Sequence, residues 1–433
     1  MKVGFIGNRD QEYFGVVRNL RRCGFDAHLF LLEDEPLADH PSQLAIDRSY
    51  QAFTHSLPWG TPMRLTRTPR SAIATPIQRV LGRGPIFARG AAPAFLARAG
   101  IPIFAVAPFG DDVSEFARIR AVVPRRGAWL TPVALPHYQR RGLRHAAWLM
   151  GPQTLRSDAL YTNAKCTGQR VHTALPTLDE SLLGRGRIHG FFERSNWFSD
   201  LCAIRNKSDI FVLCADASQG DATRTVLAGF ARLVRSLEQA RSSSLRLPTR
   251  HASPATLVVS GHGNVNQPLA QLARDLGIAA SIEWFPPLAP KDLLVACSFA
   301  DSVVAARPES FFSGARACLY AFAAEAPLFL VAPCNRSSGP LASFESAAPA
   351  DNAHADAVNA PAIEATDAES LARSLCRLLV DREGFEGREL AAQGHAWVRE
   401  AVIAQPTREL VERLQAEGMR VGATGRDSRH HAP

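Results

Sequence analysis

Lysine is nearly missing from this chain. It occurs only at Lys2, Lys165, Lys207 and Lys291, so the net charge of +8 is carried almost entirely by arginine, whose planar fork suits phosphate and carboxylate. No apolar run reaches the ~18–20 residues of a spanning helix. The N-terminus, MKVGFIGNRDQEYF, reads as a strand followed by polar residues and lacks the apolar core of a signal peptide. A cytoplasmic protein is expected. The eight cysteines are scattered, with no C-x-x-C and no zinc spacing, which points to buried free thiols in a reducing compartment and to no metal site. No G-x-G-x-x-G is present, so no dinucleotide is implied. No basic stripe is interleaved with aromatics, which argues against nucleic acid. The positive balance then leaves an anionic substrate, an anionic membrane surface, or a mere compositional excess of arginine.

What is present is a two-domain chain: 433 residues, 46% hydrophobic. Lys2–Gly7 reads as a first strand, Tyr13–Cys23 as a helix stopped by Gly24, and Asp26–Leu32 as the next strand, a βαβ opening. Glu33–Arg83 carries no clear period. Pro85–Arg89 and Ile101–Ala107 read as strands around a helix at Ala91–Ala99, and Ala159–Asn163 as a further strand. Loss of periodicity over Leu183–Ser208 marks a linker, and Asp209–Cys214 starts the second domain. There Ala215–Arg224 reads as a polar loop and Thr225–Leu237 as an amphipathic helix. The most regular stretch, Ala255–Val331, alternates short apolar runs with helical patterns, the layout of a parallel sheet whose strand ends form a crevice. Thr366 and Glu369 suggest a capping box for a helix to Leu379. The expected organisation is an N-terminal domain over 1–190, a C-terminal domain over 195–405, a separate helix over 406–421 and a disordered tail over 422–433.

Candidate site residues lie where strands end. On the first domain these are Gly7, Asn8 and Arg9 after the first strand. Asp111 and Asp112, in P-F-G-D-D, either meet a polar ligand or cap the helix expected at Val113–Ile119. On the second domain, Gly261-His262-Gly263 follows a strand, as a ligand loop or only a tight turn. The stretch R-P-E-S-F-F-S-G at Arg307–Gly314 leads into a helix. Ser313 and Gly314 before that helix would offer free amides and a positive dipole end to a diphosphate. Arg307, Arg316 or Arg224 would add charge, and Glu309 could accept hydrogen bonds from sugar hydroxyls or pair with Arg307. Trp284-Phe285 could flank a base or belong to the core. A basic aromatic helix around Tyr138–Trp148, with Arg140, Arg141, Arg144 and His145, suits either a membrane surface or plain solvent.

The order of these segments resembles the retaining glycosyltransferases of the GT-B fold (glycosyl transferases group 1, family 4-like) over nearly the whole chain. The resemblance rests on L-V-V-S-G-H-G, I-E-W-F, A-D-S-V-V-A, then Arg307-Pro308-Glu309-Ser310-Phe311, then Pro327-Leu328. It implies two Rossmann-like α/β domains with parallel sheets facing across a cleft. The second domain would hold a nucleotide-diphosphate sugar through Arg224, Gly261, His262, Gly263, Arg307, Ser310, Ser313 and Gly314. The first would hold a glycan or lipid-linked acceptor near Gly7, Asn8 and Arg9. Asp111, Asp112 and Glu309 would be the catalytic carboxylates, with no metal or further cofactor. Sugar transfer in polysaccharide or glycolipid synthesis follows, at the inner face of a membrane. The chain departs from the pattern at three places. The family's second glutamate falls at Tyr320, its glycine before the following proline is Glu325, and the lysine of its first donor loop is missing from Ala215–Arg224. An inactive relative serving as a partner or scaffold fits these departures, and a different GT-B enzyme, such as a sugar-nucleotide epimerase, is a further reading.

Overall fold

The first strand, β1 (Lys2–Ile6), is apolar on both faces and buried from Val3 onward, as a strand inside a parallel sheet must be. The computed structural model describes residues 1–8, 11–45, 47–107, 131–150, 166–171, 175–215, 220–242, 253–261, 267–306, 316–331, 360–380 and 385–427. After β1 come α1 (Glu12–Arg22), β2 (Asp26–Leu31), β3 (Thr54–Ser56), α2 (Arg70–Leu81), β4 (Ile86–Ala88), α3 (Ala92–Ala99), β5 (Ala105–Val106), α4 (Thr131–His145), β6 (Trp148–Met150) and β7 (Gln169–Val171). The seven strands are all parallel, in the order β3-β2-β1-β4-β5-β6-β7. Strand alternation sends Ile6, Phe30, Ile86 and Val106 to a core capped by α2, α3 and α4, with Ile73, Ile77, Phe95, Leu96 and Leu143. Phe5 faces the other way, stacking on Phe87 at 4.6 Å and meeting Tyr13 of α1 edge-on at 5.2 Å.

The second unit holds α5 (Arg185–Ile188), α6 (Phe198–Lys207), β8 (Phe211–Ala215), α7 (Gly220–Ser242), β9 (Thr256–Ser260), α8 (Gln267–Asp275), β10 (Ile282–Phe285), α9 (Pro290–Phe299), β11 (Ser302–Ala306), α10 (Arg316–Ala323), β12 (Leu328–Val331), β13 (Ile363–Ala365), α11 (Ala368–Val380) and α12 (Phe385–Trp397). A π-helical segment, Val398–Ala404, leads into α13 (Gln405–Asp427). Its six-stranded sheet is also wholly parallel, in the order β10-β9-β8-β11-β12-β13. Val212, Cys214, Leu257, Val259 and Phe329 form one core with Phe230 and Val234 of α7 and with Leu371 and Leu375 of α11. Both sheets are doubly wound, as expected from the βαβ opening and from Ala255–Val331.

Several details differ from the sequence expectations. The two compact units are 1–180 with 402–433, and 181–401, so the last helix belongs to the first unit, where it packs on α1. That helix runs on to Asp427, into the stretch expected to be a disordered tail. The expected linker at Leu183–Ser208 is helical and part of the second unit. Its anchors are aromatic and follow no helical period: Phe192 meets Phe198 at 5.0 Å and Phe299 at 5.2 Å, while Phe191 is fully buried. The capping box is displaced by one residue. Asp367, not Thr366, accepts from the amides of Glu369 (2.9 Å) and Ser370 (2.7 Å), and its own amide donates to Ser370 Oγ at 3.1 Å. The expected strand at Ala159–Asn163 and the helix at Val113–Ile119 lie outside the described residues.

Candidate functional site

In an open parallel sheet the crevice opens where strand order reverses, beyond the carboxyl ends of the strands. In the first unit that point lies between β1 and β4, which are direct neighbours with β2 on the far side of β1. Gly7 leaves β1 at φ +90°, a left-handed value that glycine adopts without cost. A Cβ on Gly7 would lie 2.9 Å from Arg89 Cγ and 3.5 Å from Glu35 Oε1, so the loop threads between these two side chains. Arg89 follows β4 and is 3% exposed. Its Nη2 donates to Glu12 Oε2 at 2.8 Å, and its guanidinium lies 4.6 Å above the Tyr13 ring.

Asn8 is completely buried, and its groups hold the loop rather than reaching outward. Its Nδ2 donates to the Asp39 carbonyl at 2.6 Å, and its Oδ1 accepts from the Phe14 amide at 2.8 Å. Its carbonyl accepts from the Gln11 amide at 2.9 Å, and its own amide donates to Glu35 Oε1. The second oxygen of Glu35 accepts from the Leu32 amide at 3.2 Å. Burial of the Glu35 carboxyl pushes its pKa up to about 8, although these two amide donors pull the other way. Gln11 adopts a left-handed φ of 63° at the start of α1. Its Nε2 donates to the carbonyls of Ala38 (2.8 Å) and His40 (2.6 Å), while its enclosed Oε1 accepts no hydrogen bond among the described residues.

Glu35, Glu12 and Arg89 belong to no motif and were missed by the sequence reading. One signal was available: Glu33-Asp34-Glu35 directly follows a strand neighbouring β1, the position at which acids meet ligands in doubly wound sheets.

In the second unit the reversal lies between β8 and β11. Arg224 sits on α7 rather than in a loop, because that helix starts at Gly220, where Asp221 supplies the favourable acidic first turn. Arg224 is exposed. Gly261 ends β9 at φ +130°, which strains any other residue, and Ser260 Oγ ties that strand end to the Pro286 carbonyl at 3.2 Å. Arg316 opens α10. Trp284 and Phe285 serve the core: Trp284 packs against the α7 cluster, and Phe285 lies 4.5 Å from Trp197. Tyr320 is buried at 3% exposure on α10. Arg9, Asp111, Asp112, His262, Gly263, Arg307, Glu309, Ser310, Ser313 and Gly314 lie outside the described residues. Among the described residues no cluster of His, Cys, Asp or Glu could hold a metal ion.

No known family model and no curated protein matches this sequence. Solved structures match in fold. Sucrose-phosphate synthase from Thermosynechococcus elongatus is similar with a TM-score of 0.54 and 13% identity, covering 97% of this chain and all of its own. The Anabaena protein HepE in complex with UDP-glucose is similar with a TM-score of 0.53 and 13% identity, covering 96% of this chain and 100% of its own. The fold is therefore α/β and GT-B-like, with two Rossmann-like units built on parallel sheets.

Proposed function

We propose that the protein is a glycosyltransferase that moves a sugar from a nucleotide-diphosphate sugar to a glycan, glycolipid or other acceptor. The observation that carries the reading is where the second sheet reverses: β11 ends at Ala306 beside β8, at the switch point where ligands meet doubly wound sheets, and α10 begins at Arg316. In this reading Arg307, Arg316 and Arg224 hold the diphosphate with the amides around Ser313 and Gly314. Gly261, His262 and Gly263 border the donor, and Ser310 lies beside it. Glu309 accepts from its hydroxyls. Asp111 and Asp112 act at the reacting centre, and Gly7, Asn8 and Arg9 shape the acceptor side. The rate gain would come from cations and amides stabilising the departing diphosphate, with retention of configuration and no metal. Action in the cytoplasm, at the inner face of a membrane and in polysaccharide or glycolipid synthesis, belongs to the same proposal. Among the described residues no helix is long and apolar enough to cross a membrane.

The test is a thermal-shift panel of nucleoside diphosphates. One nucleotide should raise the melting temperature, and Glu309→Ala or Arg307→Ala should abolish the rise; product analysis with the matching nucleotide-sugar then separates transfer from epimerisation. Absence of a shift with every nucleotide would favour the second reading, an inactive scaffold. That reading has one observation of its own, the burial of Tyr320 at the position where the resemblance implies a carboxylate.

A further inference from the structure

Between Asp47 and Asp111 the chain holds eight arginines and not one acidic residue. The elements cut from this stretch lie together. The short turn Pro62–Arg64, α2 and α3 pack with α4 on one face of the first sheet, and α4 (Thr131–His145) is likewise free of acids. The inward positions of this layer are apolar apart from Gln139, which is bonded within it, so its outward positions determine what it can meet. These carry Arg67, Arg70, Arg79, Arg83, Arg141 and Arg144, all exposed. Arg64 is exposed too and pairs with Glu33. Arg67, Arg70, Arg79, Arg83 and Arg141 have no ion-pair partner among the described residues. Met63, at 61% exposure, stands beside Arg64 as one of the few large apolar side chains left in water.

A soluble face ordinarily mixes both signs of charge, which limits its field. Here a whole helical layer carries one sign, on side chains that match phosphate oxygens in pairs. We propose that this layer, α2–α3–α4 with the Pro62–Arg64 turn, is a docking surface for the anionic headgroups of a phospholipid bilayer. It deepens the membrane placement in the function proposed above, and it does not depend on the donor chemistry of the second unit. A lipid surface fits better than a nucleic acid. The cations are spread over a helical layer rather than along a groove, and the described outward positions form no aromatic stacking platform for bases. Exposed Met63 suits the edge of the acyl region.

The experiment is co-sedimentation of the full chain with vesicles of phosphatidylcholine alone and of phosphatidylcholine with phosphatidylglycerol. The protein should partition onto the anionic vesicles at low salt, be released at ~0.5 M NaCl, and ignore the neutral ones. Replacing Arg67, Arg70, Arg79 and Arg141 by glutamine should weaken partitioning at least ~30-fold, the effect of two cations at roughly fivefold each, and more where all four reach the surface. A charge-matched control in the second unit, with Arg232, Arg235, Arg274 and Arg388 replaced, should bind as the parent does. Circular dichroism and melting temperature confirm that both variants fold. Equal loss in the two variants, equal binding to neutral vesicles, or no binding would overturn the proposal. So would tighter binding to a short RNA duplex, lost in the same variant. Nucleotide-induced stabilisation, measured on the same samples, shows separately whether the donor-site reading stands.

Discussion

Arg89 and Glu12 form a 2.8 Å ion pair inside the first unit, with side chains 4% and 13% exposed. They come from different elements, Arg89 just after β4 and Glu12 at the first residue of α1. The pair therefore fixes the helix start against the strand end at the point where the sheet reverses. The Tyr13 ring 4.6 Å from the guanidinium covers it further.

Removing one member of an ion pair this deeply buried ordinarily costs about 3–5 kcal/mol. Glu12→Ala and Arg89→Ala should each lower the unfolding free energy, read from urea titration, by that order. The double variant Glu12→Leu/Arg89→Met should recover much of the loss, because it leaves no stranded charge. A double variant as unstable as the sum of the two singles would show that the pair is not the source.

Glu35 gives a pH signature of the opposite kind to most surface carboxylates. Its folded pKa is pushed up to about 8 by burial, against an ordinary value of 4.5. Between those values the folded state holds a proton that the unfolded chain releases, so this group's contribution to stability falls as pH rises from about 4.5 through 8. Glu35→Gln keeps an oxygen for the Asn8 amide and cannot ionise. Urea unfolding at pH 6 and pH 8 should show the parent losing stability relative to the variant on going up. Parallel curves for the two proteins would contradict the assignment.

Glu325 holds a backbone conformation that favours glycine. It sits at φ +53° just beyond α10, where the Glu325 amide donates to the Phe322 carbonyl (3.1 Å) and the Ala326 amide to Ala321 (2.9 Å). This is a left-handed helix stop, the position at which glycine is favoured. Arg185 supports the same turn, donating to the carbonyls of Ala324 at 2.9 Å and Glu325 at 3.1 Å. Glu325→Gly should stabilise by about 1 kcal/mol, and Glu325→Val should destabilise by at least as much. Thermal unfolding of the three proteins checks the order, and a glycine variant no more stable than the parent would count against backbone strain here.

Much of the fold was legible because buried parallel strands leave short apolar runs and their helices leave a period. Lys2–Gly7 shows the first and became β1, and Ala255–Val331 shows both, its described residues forming the strands and helices from β9 to β12. The helical segment at 185–207 was not legible, since Phe192 and Phe198 pack with Phe299 as an aromatic cluster without a helical stripe. The edge strand Thr54–Ser56 is three residues long and half-exposed, too short for alternation to register. The rim network was hidden for another reason. Glu12, Glu35 and Arg89 are far apart in sequence, and only strand order brings them round Gly7. Asn8 was legible as a strand-end polar residue, yet not as one whose hydrogen bonds all turn inward.

His28 on β2 and His55 on β3 place Nδ1 and Nε2 3.1 Å apart, on paired parallel strands at the sheet edge. His28 Nε2 also lies 3.1 Å from Asp26 Oδ1, with Arg21 bonded to the same carboxylate at 3.3 Å. Burial lowers both histidines; the Asp26 carboxylate opposes this for His28, while Arg21 and Lys2 add to it, and His28 itself adds to it for His55. The unfolded chain therefore binds protons that the folded edge resists. Stability from this pair is complete above the ordinary histidine value near 6.5 and is lost as pH falls below it. The window overlaps that of Glu35 with the opposite slope, so the pair must be read by difference. His28→Gln/His55→Gln should unfold with a shallower loss between pH 7 and pH 5 than the parent, and adding Glu35→Gln to either protein should leave that difference intact. A difference that vanishes once Glu35 is replaced would show that the histidines act on stability through the rim and not as an independent edge pair.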